Sequence, residues 1–400
     1  MKKSWLGGLI TVVLVLLFPI VGNAATDEGK LEKVTSSSHS VAKDDYIKGE
    51  VIVKFKDDVS ATQQSNALNN VNAKVKADTD AVKSSFLVLE VGNVDAVVKD
   101  LNNNPNVEYA EPNYVLNATW TPNDTYFSPS YQYGLFNTDA DHAWDVTRGS
   151  SSQEIAVLDS GVDYNHPDLD GKVIRGYDFV QRDWTPQDQN GHGTHVAGIA
   201  AAETNNATGI AGMAPNTKIL AVRVLDANGS GSLANIADGI IYATDAGAEV
   251  INLSLGCDCD TQTLENAVNY AWNRGVVVVA AAGNDGVSTT FEPASYTNVI
   301  AVGAVDSNNR KASFSNWGNW VDVMAPGVDI ASTYPNNSYV YMSGTSMASP
   351  YVAGQAALLK SQGKSNAQVR AAIENTAVYM SGVGRQVEHG LINVNASVRY

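Results

Sequence analysis

The sequence of 400 residues has only two cysteines, and only 26 basic side chains against 42 acidic ones. It also lacks long apolar runs: the stretch from Leu9 to Val21 has 13 residues, whereas a bilayer span needs roughly 20. Lys2 and Lys3 precede this stretch and the small segment Gly22 to Ala25 follows it, which is the layout of a cleavable export signal over 1–24. A membrane anchor is the competing interpretation. We expect an exported, soluble protein.

The shortage of basic residues lies mostly in the later part of the chain. Residues 1–119 carry 12 basic and 15 acidic side chains, whereas residues 120–400 carry 14 and 27. Such an acidic body disfavours binding to nucleic acids or to anionic membranes. Acidic side chains are instead ligands for hard cations such as calcium.

The two cysteines, Cys257 and Cys259, are separated by one residue. A cysteine pair in an exported protein is more often oxidised than free. Cα atoms two residues apart can lie within the roughly 4.4–6.8 Å that a disulfide requires, so the pair predicts an intramolecular disulfide. Two free thiols, an intermolecular bridge and a metal site are the alternatives, although two sulfur ligands do not complete a zinc site.

Apolar and polar patterns divide the rest of the chain into two folded parts. Residues 26–45 are polar and are typical of a flexible lead-in, and about 46–116 alternate short strands and helices in a small α+β module. Later apolar runs alternate with helical stretches, and a continuous run such as Val276 to Ala281 is typical of a strand covered on both faces. The sequence therefore predicts a second domain, residues 120–400, built on a parallel α/β sheet.

Three polar residues lie where such a sheet exposes chemistry, beyond strand ends or at helix starts. Asp159 follows four apolar residues at the end of a strand, where burying a carboxylate requires a partner. His192 has glycine on both sides, which leaves its ring accessible. Ser346 precedes an apolar helix, and because Pro350 fits only the first turn of a helix, Ser346 is expected at or before the helix N-terminus.

Each of these residues also has an ordinary structural interpretation when taken alone. Asp159 could cap a helix or turn, His192 could be a packed histidine, and Ser346 or Ser349 could cap the following helix. A zinc helix of the His-Glu-x-x-His type is excluded, because His192 and His195 are three residues apart and no glutamate follows the first. The free amides and positive dipole end expected at Ser346 favour an oxyanion.

The order Asp, His, Ser along the chain decides between these interpretations. The segments Val157 to Val162, His192 to Gly198 and Gly344 to Pro350 resemble the three signatures of the subtilase family nearly residue for residue. The similarity extends over residues 120–400 and is closest to thermitase-like members. It implies a three-layer, subtilisin-like α/β fold with a mainly parallel sheet between helices, preceded by a small α+β propeptide domain.

The resemblance assigns catalytic roles. Ser346 would be the nucleophile, His192 the base that takes and returns its proton, and Asp159 the residue that orients the base. In this family the asparagine that corresponds to Asn284 points into the oxyanion hole, where it would join the backbone N–H of Ser346. A Gly-Asn turn is the ordinary alternative for Asn284.

The resemblance also implies an extended substrate between two chain segments. The two segments are Gly229, Ser230 and Gly231, and Ser254, Leu255 and Gly256. The small residues Ala281, Ala282 and Gly283 suggest a roomy, apolar primary pocket. Main-chain pairing accepts almost any peptide, so we expect broad specificity with a preference for apolar or aromatic side chains before the cut. Cys257, where relatives usually keep glycine, follows the second segment directly.

Thermitase-like enzymes bind calcium, which takes oxygen ligands from side chains and carbonyls. By resemblance the first site would use Asp124, Asp168, Glu203, Asn206, Thr208 and Ile210. The second would use Asp178, Asp183, Thr185 and Gln187, although Gln181 stands where an acid would help. A third, weak site for calcium or a monovalent cation would use Ala294, Tyr296 and Asp322. Each acid could instead be a solvated loop carboxylate.

The module at 46–116 resembles the subtilase propeptide, which assists folding and transiently inhibits the enzyme. Parallel sheets form slowly because they depend on non-local contacts, which is a reason for a folding assistant to be built in. We expect a secreted, heat-tolerant, monomeric serine endopeptidase that removes its own propeptide, residues 25–119, by cleavage before Trp120. Its partners would be peptide substrates and that propeptide. A catalytically silent calcium-binding or adhesion protein on the same fold and a processing protease of narrow specificity are the alternatives.

Overall fold

The computed structural model of the protein describes residues 46–76, 85–114, 120–380 and 387–400. The chain divides into two compact units, one of residues 40–118 and the other containing residues 119–400. The export signal predicted at 1–24 lies outside the described residues. No helix in the described part of the chain is long and apolar enough to span a bilayer.

The smaller unit is an antiparallel sheet with two helices. Its elements are β1 (Tyr46–Phe55), α1 (Ala61–Asn70), β2 (Lys74–Val75), β3 (Leu87–Glu90), α2 (Val94–Asn102) and β4 (Val107–Tyr114). The strand order is β2-β3-β1-β4, and every pair is antiparallel. Both helices begin at capping side chains, Ser60 and Asn93. Val51, Val53 and Leu89 pack with Val97 and Leu101 in one core, which confirms the predicted α+β module.

The larger unit contains eighteen further elements in the described residues. They are α3 (Tyr133–Asn137), α4 (Ala140–Ala143), β5 (Glu154–Asp159), β6 (Val173–Asp178), α5 (His192–Ala201), β7 (Lys218–Arg223), α6 (Leu233–Ala246), β8 (Val250–Leu253), α7 (Gln262–Asn273), β9 (Val277–Ala281), β10 (Val299–Val305), β11 (Val323–Pro326), β12 (Ile330–Tyr334), β13 (Ser338–Met342), α8 (Thr345–Ser361), α9 (Asn366–Asn375), β14 (Gly390–Leu391) and α10 (Val394–Arg399). β12 and β13 form an antiparallel hairpin.

Eight strands of this unit form one parallel sheet between two helical layers. The order is β14-β11-β10-β9-β8-β5-β7-β6, and every neighbouring pair is parallel. Along β5, Ile155 and Val157 face a core that includes α5 and α8, whereas Ala156 and Leu158 face a core that includes α6 and α7. Such burial of both faces explains the continuous apolar runs in the sequence. The predicted three-layer α/β fold is confirmed.

The strand order places the predicted active-site residues at one edge of the sheet. Asp159 ends β5, Ser254 follows β8 and Asn284 follows β9, and these strands are neighbours. In a parallel sheet the carboxyl ends of all strands meet at the same edge. His192 and Ser346 lie in the first turns of α5 and α8, two helices that pack in the same core.

Candidate active site

A buried hydrogen bond joins two of the predicted catalytic residues. His192 begins α5 directly after Gly191, whose φ of 105° suits glycine. The Nδ1 atom of His192 lies 2.7 Å from Oδ1 of Asp159, and this oxygen also accepts the backbone N–H of Ser160 at 2.7 Å. Asp159 is fully buried. An imidazole that donates from Nδ1 to a carboxylate presents Nε2 as a proton acceptor, which is the tautomer that a base needs.

The two histidines of α5 have opposite pKa shifts. Burial lowers the pKa of His192, but the charge and hydrogen bond of Asp159 outweigh burial and raise it above its ordinary value, and the charge of Asp188 adds to this. His195 has only carbonyl groups at Nε2, with Ile330 O at 3.0 Å, and burial lowers its pKa to about 3. Asp159 therefore stabilises the protonated form of His192, whereas His195 stays neutral.

Ser346 is the second residue of α8, one position further into the helix than the sequence predicted. Pro350 lies in the second turn and has no N–H to donate to the carbonyl of Ser346. The hydroxyl of Ser254 donates to that carbonyl at 2.8 Å instead, which explains why proline is tolerated there. The Ser346 hydroxyl donates in return to the carbonyl of Ser254 at 3.2 Å.

The helix-capping interpretations of the two serines are not borne out. Gly344 is the N-cap of α8 and has no side chain, and the hydroxyl of neither serine accepts an amide of the first turn. The Ser349 hydroxyl donates to Oδ1 of Asn252 at 2.7 Å, deep in the core. The N–H of Met347 donates to the carbonyl of Gly344 at 3.1 Å, whereas the N–H of Ser346 has no acceptor among the described residues. The N-terminus of a helix favours an anion as the acceptor of such a group.

Asn284 lies against the same helix start. Its Oδ1 accepts the backbone N–H of Thr345 at 2.8 Å and the Thr345 hydroxyl at 3.0 Å. Since the side-chain oxygen is used in this way, the Nδ2 group is the donor that remains for an incoming atom. The Nδ2 group of Asn284 and the backbone N–H of Ser346 can thus hydrogen-bond one oxyanion.

The comparisons with known proteins agree with this geometry. The model of the subtilase family matches residues 150–394, a range that contains Asp159, His192, Asn284 and Ser346. This chain belongs to the subtilase family. A second model, the Fervidolysin N-terminal prodomain, matches residues 32–113 and coincides with the smaller unit.

Relatives place this subtilase among thermitase-like enzymes. It is 66% identical to the thermophilic serine proteinase of Bacillus sp. (strain AK1), over 100% of both chains. It is 57% identical to thermitase of Thermoactinomyces vulgaris, over 70% of this chain and 100% of that one. A solved protease structure from Pseudoalteromonas arctica has a TM-score of 0.65 and 34% identity, over 70% of this chain and 99% of that chain. The chain is therefore a serine endopeptidase of the subtilase family with an N-terminal prodomain.

The two predicted substrate-binding segments of the subtilase follow strands and are themselves irregular. Gly229, Ser230 and Gly231 lie between β7 and α6, where Ser230 exchanges backbone and side-chain hydrogen bonds with Asp226. Ser254, Leu255 and Gly256 follow β8 directly. The predicted pocket residues Ala281, Ala282 and Gly283 end or follow β9, and all three are buried.

Sequence reasoning missed an aromatic residue between these segments. A Cβ atom placed on Gly256 would lie 2.4 Å from Cε1 of Phe291, and one placed on Gly283 would lie 3.1 Å from the same ring. The Phe291 ring thus contacts both predicted walls of the primary pocket. Its only sequence signal is an aromatic residue in a polar loop, Ser288-Thr289-Thr290-Phe291.

Cys257 and Cys259 are paired in the structure, with Cα atoms 5.2 Å apart. Cys257 also exchanges two backbone hydrogen bonds with Glu292, both at 2.8 Å. The cysteine loop is therefore joined to the segment that carries Phe291.

The residues of the first predicted cation site lie together and are linked by hydrogen bonds between loops. Asp124 accepts the backbone N–H of Asn205 at 2.8 Å, and Asp168 accepts the Asn206 amide at 2.8 Å and the Ile210 N–H at 2.7 Å. The N–H groups of Glu203 and Thr208 donate to Asp168 O and Asn206 Oδ1, both at 2.7 Å. Burial raises the pKa of Asp168 to about 7, and the charge of Asp124 adds to this. Two buried carboxylates with like charge fit a divalent cation.

The second predicted site is only partly assembled. Asp178 accepts Nη1 of the buried Arg223 at 3.0 Å, whereas Asp183 accepts the N–H of Thr185 at 2.8 Å. Oε1 of Gln187 is buried and has no hydrogen-bond partner among the described residues. This orphaned oxygen fits a cation, but Asp178 already has a guanidinium partner.

The residues of the third predicted site do not fit a metal ion. Asp322 accepts Nη2 of Arg370 at 2.8 Å and the backbone N–H of Ala301 at 2.7 Å, so both of its oxygens have partners. Nη1 of Arg370 donates to the carbonyls of Thr297 and Val299, in the loop that follows Ala294 and Tyr296. The guanidinium thus supplies the positive charge that a cation would bring.

Proposed function

We propose that the chain is a secreted, self-processing serine endopeptidase that cleaves peptide bonds through Asp159, His192 and Ser346, with Asn284 as an oxyanion donor. The observation that carries this proposal is the 2.7 Å contact between His192 Nδ1 and Asp159 Oδ1, at the edge of the sheet where α8 presents Ser346. A neutral hydroxyl is a poor nucleophile until a base removes its proton during attack.

In the proposed reaction the Ser346 hydroxyl turns from the Ser254 carbonyl toward Nε2 of His192 as substrate binds. Hydrogen bonds of this kind are often loose without substrate and tighten in the complex. Oγ attacks the peptide carbonyl while His192 takes the proton, and His192 then returns it to the leaving amine. Asp159 holds the ring and stabilises the imidazolium. Water then attacks the acyl-enzyme while His192 takes its proton, and His192 returns this proton to Ser346 Oγ as the acid product is released.

Negative charge develops on the carbonyl oxygen during attack. Nδ2 of Asn284 and the backbone N–H of Ser346 would hold this oxygen, because the Asn284 carbonyl is fixed by Thr345. Loss of one such donor in subtilisin, a relative, lowers kcat by on the order of 10²–10³-fold. We expect a loss of the same order when Asn284 is replaced in this chain.

We further propose broad specificity with a preference for apolar or aromatic side chains before the cut. The small buried residues Ala281 and Ala282 and the ring of Phe291 make the pocket apolar. Phe291 would set the largest side chain that fits, since its ring contacts both walls at Gly256 and Gly283.

Calcium is the metal that we propose for the first two cation sites. At the first site Asp124, Asp168, Glu203, Asn206, Thr208 and Ile210 would supply oxygen ligands. At the second site Asp178, Asp183, Thr185 and Gln187 would do so, more weakly. When bound, calcium neutralises the carboxylates and ties the described loops together. The orphaned Gln187 oxygen and the like charges of Asp124 and Asp168 support this assignment.

Removal of residues 25–119 before Trp120 is the proposed activation step. Trp120 is already anchored in the larger unit: its N–H donates to Asp145 at 2.9 Å, and its ring packs on Trp144 with ring centres 5.6 Å apart. The guanidinium of Arg148 lies 4.3 Å from the Trp120 ring. These contacts support a mature chain that starts there, with the removed unit as its transient inhibitor.

Export of the enzyme is part of the same proposal. The signal layout at 1–24 and the pairing of Cys257 with Cys259 support an oxidising, extracellular location. We propose that the mature enzyme is a monomer that acts on protein and peptide substrates, without nucleic-acid or membrane partners.

Replacement of the nucleophile tests the proposed function. The Ser346→Ala variant of the full chain is expected to lose casein hydrolysis by on the order of 10⁶-fold, the loss known for the nucleophile of subtilisin, and to remain an uncut precursor. The matched control, Ser343→Ala, removes an exposed hydroxyl three residues earlier and should mature and react with a fluorophosphonate. Self-processing by the Ser346→Ala variant would contradict the proposal, and wild-type enzyme that no fluorophosphonate labels would favour a catalytically silent protein.

A further inference from the structure

A buried carboxylate that sequence reasoning missed lies four residues before His192. Asp188 is 7% exposed. Its Oδ1 accepts the hydroxyl of Ser160 at 2.8 Å and the N–H groups of Asn190 and Gly191 at 2.9 and 2.8 Å. Its Oδ2 accepts the N–H and the hydroxyl of Thr194 at 2.9 and 2.5 Å. The carboxylate is therefore satisfied by five donors, none of them a basic side chain.

These donors belong to the two segments that carry the catalytic pair. Ser160 directly follows Asp159 at the end of β5, and Gly191 and Thr194 flank His192 at the start of α5. The Ser160 hydroxyl also accepts the N–H of Gly193 at 3.0 Å. The Ser160 hydroxyl thus joins the end of the strand to the beginning of the helix in two ways, directly at Gly193 and through the carboxylate of Asp188.

Asp188 also caps the N-terminus of α5. The N-cap residue of α5, Gly191, has no side chain to accept the free amides of the first turn. Asp188 accepts two backbone N–H groups there, those of Gly191 and Thr194. A negative charge at this end of a helix is stabilising. Glycine can therefore stand next to His192 without leaving the helix start uncapped.

We propose that Asp188 is a positioning residue for catalysis, which fixes α5 against the end of β5 so that His192 stays at hydrogen-bond distance from Asp159. Asp188 does not touch the reacting atoms, and it acts through Ser160, Gly191 and Thr194. The inference rests on the proposed function, because it takes Asp159 and His192 as the catalytic pair.

The charge of Asp188 supplies a readout that a purely structural role would not change. His192 is faced by Asp159 from β5, by Asp188 from the preceding loop and by the neutral His195 on its own helix. Removal of one of the two negative charges destabilises the imidazolium. Because the base must be neutral to act, the acidic limb of the kcat/KM profile should then move to lower pH.

The Asp188→Asn variant tests the proposal. The full chain is expressed, allowed to mature and assayed at saturating calcium with a small chromogenic peptide, and a fluorophosphonate titration counts the competent sites. We expect kcat per site to fall by about 10- to 100-fold, part of the roughly 10²–10⁴ that a positioned base contributes. KM should stay within about twofold, because the substrate segments are untouched. The acidic limb should move to lower pH.

A matched control removes a carboxylate of similar local role far from the pair. Asp306 accepts the N–H groups of Asn308 and Arg310, both at 2.9 Å, in an exposed turn. Asp306→Asn should keep the wild-type kcat and pH profile. The Ser160→Ala variant cuts both connections, because both begin at the Ser160 hydroxyl, but it keeps the charge of Asp188. We therefore expect kcat to fall while the acidic limb stays in place.

The outcomes separate cleanly. Asp188→Asn enzyme with wild-type kcat per site and an unmoved acidic limb overturns the proposal. If Asp188→Asn yields no mature enzyme, Ser160→Ala decides: a reduced kcat supports the positioning role, and an unchanged kcat overturns it. The Ser346→Ala variant distinguishes failure of this inference from failure of the proposed function. Casein hydrolysis by Ser346→Ala would contradict the proposed function itself. If Ser346→Ala is inactive and Asp188→Asn behaves like the wild type, only the role of Asp188 is contradicted.

Discussion

Two loops of the larger unit bury a carboxylate in different ways. Asp168, in the first predicted cation site, is fully buried and accepts hydrogen bonds from amide groups and from the hydroxyl of Tyr339, with Asp124 as a like-charged neighbour. Asp322, in the third, is almost as buried but pairs with Arg370. Among the described residues, no basic nitrogen lies within salt-bridge distance of Asp168 or Asp124.

The difference shows which buried charge needs something from outside the chain. An ionised carboxylate in a low-dielectric site is costly unless it has a charged or well-bonded partner. Burial lowers the pKa of Arg370, but the charges of Asp322 and Glu374 outweigh burial and raise it, so this guanidinium stays charged. Burial raises the pKa of Asp322 to about 6, and the charge of Arg370 opposes this rise, so the chain itself supplies the positive charge beside Asp322. At Asp168 and Asp124 no described residue supplies such a charge, which is why we propose that calcium supplies it.

Removal of calcium should therefore have the largest effect. With the protease blocked by a fluorophosphonate, a calcium chelator is expected to lower the free energy of unfolding by about 4 kcal/mol, the stabilisation given by a ligand present at about a thousand times its Kd. The physical reason is that Asp124 and Asp168 lose the charge that neutralises them. Urea unfolding at several calcium concentrations measures the loss.

The Asp168→Asn variant is the control for this prediction. Its unfolding free energy should respond little to the chelator, because the first site has lost a central ligand. If wild type and Asp168→Asn lose the same stability on chelation, calcium acts elsewhere and the contrast with Asp322 breaks down.

The sequence predicted the sheet and the smaller unit, since periodicity carries that information. Three short signatures named Asp159, His192 and Ser346, which remain the proposed catalytic residues. The sequence did not predict that Arg370 pairs with Asp322, because 48 residues separate them and only the packing of α9 brings them together. For the same reason it missed Phe291, whose ring meets Gly256 and Gly283 from another loop. The role of Asp188 depends on Ser160, which lies 28 residues earlier in the chain. The sequence placed Ser346 one residue too early, because the hydroxyl of Ser254 replaces the donor that Pro350 lacks.

Replacement of Arg370 by methionine should have the next largest effect on stability. In Arg370→Met, Asp322 stays buried without its partner, and the carbonyls of Thr297 and Val299 lose a donor. The expected loss is about 2–3 kcal/mol, less than the roughly 3–5 of a fully buried pair because the Arg370 side chain is 22% exposed. Urea unfolding of the blocked enzyme measures it, and the double variant Asp322→Asn/Arg370→Met should recover part of the loss.

The calcium dependence of Arg370→Met sharpens the comparison. The loss in the free energy of unfolding should be the same at low and high calcium, since the guanidinium of Arg370 and not a metal neutralises Asp322 in the wild type. Recovery of Arg370→Met at high calcium would mean that a cation can replace the guanidinium. The third predicted site would then be a real cation site that the arginine normally fills.

The second predicted site is intermediate between these two loops and should give the smallest effect. Its Asp178 has a guanidinium partner in Arg223, as Asp322 has, but its Gln187 oxygen has no partner among the described residues, which resembles the first site. Asp183→Asn should therefore lower the melting temperature by about 1 °C, and only at calcium concentrations that leave a weak site partly filled. Scanning calorimetry of the blocked enzyme across a calcium series measures this shift. If the shift does not depend on calcium, Arg223 alone neutralises the site, and the second loop behaves like the Asp322 loop rather than the Asp168 loop.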